Sequence, residues 1–192
     1  MFYGQRNNSG ERALSEKQVT AVLAASHTPQ DKILMEIGFS LGLRRDDLVA
    51  VKVVNVNIEE STIKYEEKKK KNRIRIVPIQ PTLAGELRRY ISTLPKNQTY
   101  LFPAREKNTK DGHMSSRTAY KIFNDLCSEC GIKTPIPIHA MRATAAKILK
   151  NKGWTIEQVA NLLGDRVETI QHYYTVPSDA EMKELMDKGG VI

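Results

Sequence analysis

Residues Val51 to Ile79 read VKVVNVNIEESTIKYEEKKKKNRIRIVPI. Here the repeat of apolar residues shortens from the helical three-to-four to two. Val53 to Ile58, Thr62 to Glu66 and Arg73 to Val77 are rich in β-branched residues, and each reads as a strand. Lys68 to Asn72 is polar and reads as the tip of a hairpin joining the last two. The expectation is a small three-stranded antiparallel sheet. The sequence on either side repeats with helical spacing, so the fold class is α+β and mainly helical.

Upstream, Ser15-Glu16-Lys17-Gln18 is a capping-box pattern. It opens a helix with Val19, Val22 and Leu23 on one face, stopped near Pro29. A second helix runs from about Gln30 to Leu41, with Ile33, Leu34 and Ile37 inward and Gly42 as its stop. A short helical segment follows from Asp46 to Val49. Downstream of the sheet, helices are expected over Pro81 to Ser92, Ser116 to Cys130 and Ile138 to Asn151. Lys107 to Gly112 is a polar loop. Thr155-Ile156-Glu157-Gln158 is a further capping box, opening a helix that Gly164 ends, and Glu168 to Tyr174 continues helically. Ser178-Asp179-Ala180-Glu181 caps a tail helix carrying Met182, Leu185 and Met186. The chain thus divides into a flexible segment 1–14, one domain over 15–177, and a tail helix over 178–192.

Thirty basic residues against 22 acidic ones give a net charge of +8 over 192 residues. That excess suits a polyanionic partner, because each cation that meets a phosphate releases a counterion. It equally suits a basic protein with no such partner. No apolar run approaches the roughly 18 residues that a membrane crossing needs, and the N-terminus lacks the apolar stretch of a signal peptide. An intracellular protein is expected, in cytoplasm or nucleoid. Cys127 and Cys130 form a lone C-x-x-C with no second pair at zinc spacing. Both fall on the apolar stripe of a helix and read as core-filling thiols, so no metal is expected.

Four scattered polar groups suit one chemistry. His139 and Arg142, three apart, share a helix face and could clamp a phosphate beside a proton-transfer group; the pair reads equally as solvated surface residues. Arg44 follows a helix stop, and Asp47, three residues on, could hold its guanidinium in one rotamer. The same acidic residues also suit a helix N-terminus. Lys68 to Lys71 make a solvated hairpin tip or deliver a lysine that protonates a leaving oxygen, and pattern alone does not say which of the four. Tyr174 is a nucleophile or, with Tyr173, a core aromatic.

Joined in order, these segments resemble the catalytic domain of the tyrosine recombinase family, the phage-integrase type, with divergent archaeal or viral integrases as the nearest description. The resemblance rests on Gly42-Leu43-Arg44 with Asp47, on Val77-Pro78 pointing back to Lys70, on His139-x-x-Arg142, and on Leu162-Leu163-Gly164 leading to Tyr174-Thr175. It extends from about Ser15 to the C-terminus. It implies that Arg44 and Arg142 grip a scissile DNA phosphate and that Tyr174 attacks it, forming a 3′-phosphotyrosyl bond. Lys70 would protonate the departing 5′ hydroxyl, and His139 would accept a proton or donate to the phosphate. Asp47 would support the site, and Arg45, Lys68, Lys69, Lys71 and Arg73 would meet the DNA backbone. The implied activity is site-specific recombination of double-stranded DNA, by dimers or tetramers on the DNA, with neither metal nor ATP. The tail helix would exchange between protomers or fold back on its own domain.

Two departures stand out. Asp165 occupies a position where the family usually has His or Trp donating to the phosphate; an ionised carboxylate only accepts. Asp165 could instead face an arginine, and His172 could supply the missing donor. The family's usual N-terminal DNA-clamping domain is also expected to be missing, whether removed or naturally lost. Rival readings are a helix-turn-helix regulator built from 155–174, a type IB topoisomerase, and a catalytically dead DNA-binding relative.

Overall fold

The hairpin is present in the computed structural model, which describes residues 13–104 and 112–174, with only the backbone of 172–174. The segment 1–12, part of the Lys107 to Gly112 loop and the tail helix lie outside the described residues. Strands β1 (Val56–Asn57), β2 (Thr62–Glu67) and β3 (Arg73–Pro78) form an antiparallel sheet in the order β1-β2-β3. Ile63 pairs with Val77, Tyr65 with Arg75, and Glu67 with Arg73. Side chains alternate along a strand, so Ile63, Tyr65 and Glu67 all turn inward and are buried. On β3, buried Val77 sets the pleat. Arg73 and Arg75 therefore share its face, while Ile74 and Ile76 point outward, 56% and 65% exposed. The far end of the hairpin thus presents charge inward and apolar groups outward. A buried carboxylate must find partners, and those partners make the site described below.

The first strand is shorter than its β-branched sequence suggests. Val53–Asn55 form a single 3-10 turn. The Val53 N–H donates to the Thr99 carbonyl at 3.0 Å, and Lys52 pairs with Tyr100, drawing this backbone away from the sheet.

Helices α1 (Glu16–Ala24), α2 (Pro29–Leu41), α3 (Arg45–Val49), α4 (Pro81–Ser92), α5 (Ser116–Glu129), α6 (Ala140–Asn151), α7 (Ile156–Leu163) and α8 (Val167–Tyr174) supply the rest. Both expected capping boxes, at Ser15 and Thr155, are made in full. Leu14, assigned to the loose N-terminal segment, is buried, and its N–H donates to Thr144 Oγ1 of α6 at 2.8 Å. Leu14 thus packs with the helices that follow it.

Helix α2 is central. Thr28 caps it, Pro29 opens it, and α1, α4, α5 and α6 all pack against it. Its approach to α6 is close because one side is glycine: a Cβ on Gly38 would lie 2.7 Å from Met141 Sδ. The α6 face toward α2, α7 and α8 is largely alanine, with Ala140, Ala143, Ala145 and Ala146 buried. Ala145 and Ala146 join Val159, Ala160, Leu163 and Ile170 in a small second core under α7 and α8. Cys127 is fully buried and Cys130 partly so, both unbridged, as the apolar stripe suggests; burial pushes the Cys127 thiol up to about 12.

Gly42 ends α2 in the left-handed region, φ 54°, and its carbonyl faces the site. A Cβ there would meet Leu163 Cδ2 at 2.7 Å and the Arg142 Cα at 3.3 Å. Gly42→Ala therefore combines a left-handed penalty with a clash between three elements. It should lower unfolding stability by about 2 kcal/mol in a denaturant titration; a loss near zero would show that α2 and α7 are not held at this distance.

Candidate active site

Arg44 stands at the N-terminal boundary of α3, immediately after the turn made by Gly42. Arg142 lies in the first turn of α6 and is 4% exposed, so it is no solvated surface residue. Far apart in sequence, the two guanidiniums meet on one carboxylate. Arg44 Nη2 donates to Asp165 Oδ1 at 2.6 Å, and Arg142 Nη2 and Nε donate to Oδ2 at 2.6 and 3.1 Å. Arg142 Nη1 also donates to the Gly42 carbonyl and Nη2 to the Leu163 carbonyl, each at 2.6 Å. Arg44 Nη1 donates to Glu67 Oε1 at 2.8 Å. Burial works against the Arg44 charge, but Asp165 and Glu67 outweigh it and hold the guanidinium above its usual range.

Asp47 does a different task from the one its spacing suggests. Helix α3 turns it inward toward the end of β2, and its Oδ1 accepts the backbone N–H of Lys68 at 3.1 Å. It pins the hairpin tip, and it acts on Arg44 only through its field. Glu67 and Asp165 hold the guanidinium instead. Burial, opposed by the Lys68 N–H and Arg44, pushes the Asp47 carboxyl up.

Of the four tip lysines, Lys70 is the one that turns in: its Nζ donates to the Gly164 carbonyl, while Lys68, Lys69 and Lys71 are exposed. The tip makes this possible by curling through a 3-10 turn and two left-handed residues, Lys71 and Asn72. Arg73 Nε lies 3.0 Å from Glu67 Oε2, an ion pair without hydrogen-bond alignment. Exposed Arg45 reaches only its neighbour Asp46.

His139 is not within α6, as its helical spacing suggests, but is the residue that caps its start. Its carbonyl accepts the N–H groups of Arg142 and Ala143 at 3.1 and 3.2 Å. The ring opens to solvent on one side. Protein packed on the other side lowers its pKa, helped by Lys69, Arg45 and Arg142 and opposed by Asp46. At neutral pH the imidazole is therefore uncharged and able to accept a proton. Tyr174 ends α8; its side chain and that of His172 lie outside the described residues.

Two residues of the cluster escape the sequence reading. Glu67 is fully buried and links Arg44 to Arg73. Arg75 Nη1 donates to Tyr65 Oη and to the Leu162 carbonyl, each at 3.2 Å, and its Nη2 donates to the Asn161 carbonyl. With Lys70 on Gly164 and Arg142 on Leu163, cations collect the last carbonyls of α7, where the helix dipole is negative. The signal that could have found both residues is pleat parity counted from Ile63 and Val77. This clasp also bears on the helix-turn-helix rival: the α7–α8 turn is bound into the site by Asp165 and Gly164.

The family model described as "Phage integrase family" matches residues 12–180. The chain belongs to the phage integrase family. Tyrosine recombinase XerA of Pyrococcus horikoshii is 27% identical over 182 residues, covering 94% of this chain and 62% of that protein. Tyrosine recombinase XerD of Pseudomonas aeruginosa is 26% identical, covering 91% of this chain and 60% of its own length. The chain thus spans about three fifths of these relatives. Among solved structures, XerA recombinase superposes with a TM-score of 0.77 at 23% identity, over 92% of this chain and 64% of that one. The catalytic domain of bacteriophage HP1 integrase gives 0.64 at 22% identity, over 92% and 93%. The fold is therefore that of a tyrosine recombinase catalytic domain.

Two measurements check this geometry. Glu67→Gln removes a buried charge from Arg44, and breaking such a pair costs about 3 kcal/mol of stability in a denaturant titration; an unchanged midpoint would place Glu67 outside the cluster. The His139 ring should titrate below about 6.5 by NMR in the free protein. A midpoint above that value would mean that neither the packing nor those cations face the ring.

Proposed function

We propose that this chain is the catalytic part of a site-specific DNA recombinase. The observation that carries the reading is the convergence of Arg44 and Arg142 on a single anion, with Lys70 beside it and Tyr174 at the end of the adjoining helix. In the proposed reaction the two guanidiniums bind the non-bridging oxygens of a scissile phosphate in double-stranded DNA. Tyr174 attacks phosphorus, the P–O bond to the 5′ carbon's oxygen breaks, and a 3′-phosphotyrosyl link forms. Uncharged His139 accepts the phenol proton or donates to the phosphate, and Lys70 gives a proton to the leaving oxygen. His172 is the proposed donor at the place where Asp165 cannot donate. A 5′ hydroxyl from a second strand reverses the step, so the bond energy is conserved and neither ATP nor a metal is required.

Several further points support this reading. Exposed Arg45, Lys68, Lys69, Lys71 and Arg73 border the cluster and suit a DNA backbone. One of the similar structures is titled XerH site-specific recombinase bound to a palindromic difH substrate in a post-cleavage complex, with a TM-score of 0.72. Among the described residues no helix is long and apolar enough to cross a membrane. Pairing or four-fold assembly on DNA, with residues 178–192 exchanged between protomers, completes the proposal. The site of action would be wherever the DNA lies, in cytoplasm or nucleoid, for a host or a viral gene alike.

The test uses nicked duplexes of randomised core sequence, which trap a cleaved strand on the protein. A covalent protein–DNA band should form, map to Tyr174 by mass spectrometry, and vanish in Tyr174→Phe. Arg142→Lys keeps the charge but loses the planar fork, and should slow cleavage about a hundredfold, near 3 kcal/mol. Lys70→Ala should slow cleavage more than Lys68→Ala, and a 5′-bridging phosphorothioate, whose sulfur leaves without a proton, should restore it. Binding without any covalent band would leave a DNA-binding relative that does not cut.

A further inference from the structure

The seat between Arg44 and Arg142 is already filled by the protein itself. Asp165 offers one oxygen to each guanidinium, Oδ1 to Arg44 and Oδ2 to Arg142, both at 2.6 Å. Two oxygens on one central atom, each facing a different arginine, is also how a phosphodiester would present its non-bridging oxygens. Arg142 turns two bonds to Asp165, and its others run inward to the Gly42 and Leu163 carbonyls. An anion that is to bridge both arginines therefore competes with Asp165 for the donors it now holds. Sharing is disfavoured by charge, because an ionised carboxylate beside a phosphate has no proton to offer.

We infer that Asp165 is a built-in surrogate for the phosphate, filling the anion seat of the free protein, and that a phosphate enters only by exchanging with it. The inference rests on the proposed function for the identity of the natural anion, a DNA phosphodiester. Asp165 is placed for such exchange. It follows Gly164, which is left-handed at φ 69°, and lies in the three-residue link between α7 and α8. Its backbone N–H is tied back to the Ala160 carbonyl of α7 at 3.0 Å, so the end of α7 stays capped when the side chain swings. Its side chain keeps 14% of its surface open, unlike the fully buried Glu67 on the other side of Arg44. Release would free the start of α8, the helix that ends in Tyr174. Arrival of the phosphate is thereby coupled to freedom of the nucleophile-bearing segment.

The experiment titrates the full chain with inorganic phosphate at low ionic strength, by calorimetry. Asp165→Asn keeps the shape and removes the charge, so it should bind phosphate about tenfold more tightly than the parent. Adding Arg44→Ala to that variant should abolish the gain. Equal or weaker affinity in a folded Asp165→Asn, or a gain that survives loss of Arg44, overturns the proposal. If Asp165→Asn does not fold, the parent chain decides: saturating phosphate should speed amide hydrogen exchange over Arg166 to Ile170, and unchanged exchange overturns the proposal. The two readings fail separately. A phosphate effect with no phosphotyrosyl adduct removes the recombinase function and keeps the surrogate; an adduct with no phosphate effect does the reverse.

Discussion

Two guanidiniums share one carboxylate, and the surrounding structure is arranged around the difficulty of keeping them there. Like charges repel most where water is excluded, and Arg142 is almost wholly buried. The repulsion is met with two acidic side chains, Asp165 between the arginines and Glu67 behind Arg44. It is also met with dipoles. Arg142, Arg75 and Lys70 all end on carbonyls at the C-terminus of α7, the negative end of a helix. Three segments distant in sequence are thereby fastened to one point: the α2–α3 turn, the hairpin and the α7–α8 link. Stability and site geometry are one network, so no residue in it acts on only one of them.

Locally determined features were legible in the sequence. The capping boxes at Ser15 and Thr155, the stops at Gly42 and Gly164, and the hairpin with its lysine tip are each set by a few adjacent residues. The arginines and Lys70 were legible as motifs in order, but the meeting of the arginines on Asp165, and of Lys70 on the neighbouring Gly164 carbonyl, depends on packing between elements. Asp47 shows the difference. Its spacing from Arg44 was correctly noted, yet the direction of α3 sends it to the Lys68 backbone. Glu67 falls between the expected strand and the expected tip; only the parity of the β2 pleat places it inside. The helix expected from Ile138 starts two residues later, at Ala140, so His139 is its cap, because a helix and its cap share the same residue spacing at their boundary. Val53 was drawn from the sheet by the Thr99 carbonyl, a partner that no local pattern announces.

The inverted end of the hairpin explains how such a cluster can form at all. Alternation would ordinarily place Ile74 and Ile76 inside and Arg73 and Arg75 in water. The pairing of Ile63 with Val77 fixes the opposite phase, and a slip of one residue would flip every side chain. The sheet therefore gives up the burial of two isoleucines, offset elsewhere by the helical core, and gains an inward row of Tyr65, Glu67 and Arg75. That row meets the end of α7 directly. The exposed isoleucines and the buried charges are two consequences of a single register.

An acceptor-only residue at the heart of a phosphate site then has a physical rationale within the proposed function. Without an anion between them, Arg142 would stand close to Arg44 with no carboxylate of its own, and the free chain would be less stable. With Asp165 present, a lone phosphate must replace charge-assisted bonds that are already made, so it competes poorly. Duplex DNA does not arrive as a lone phosphate. Flanking phosphates on Arg45, Lys68, Lys69, Lys71 and Arg73 would hold the scissile one near the seat, raising its effective concentration far above that of free anions. An internal carboxylate thus weakens every ligand by the same amount but excludes only those that bind at one point. In that proposed function the cluster would select for a polyanion by making its central contact conditional on the contacts around it.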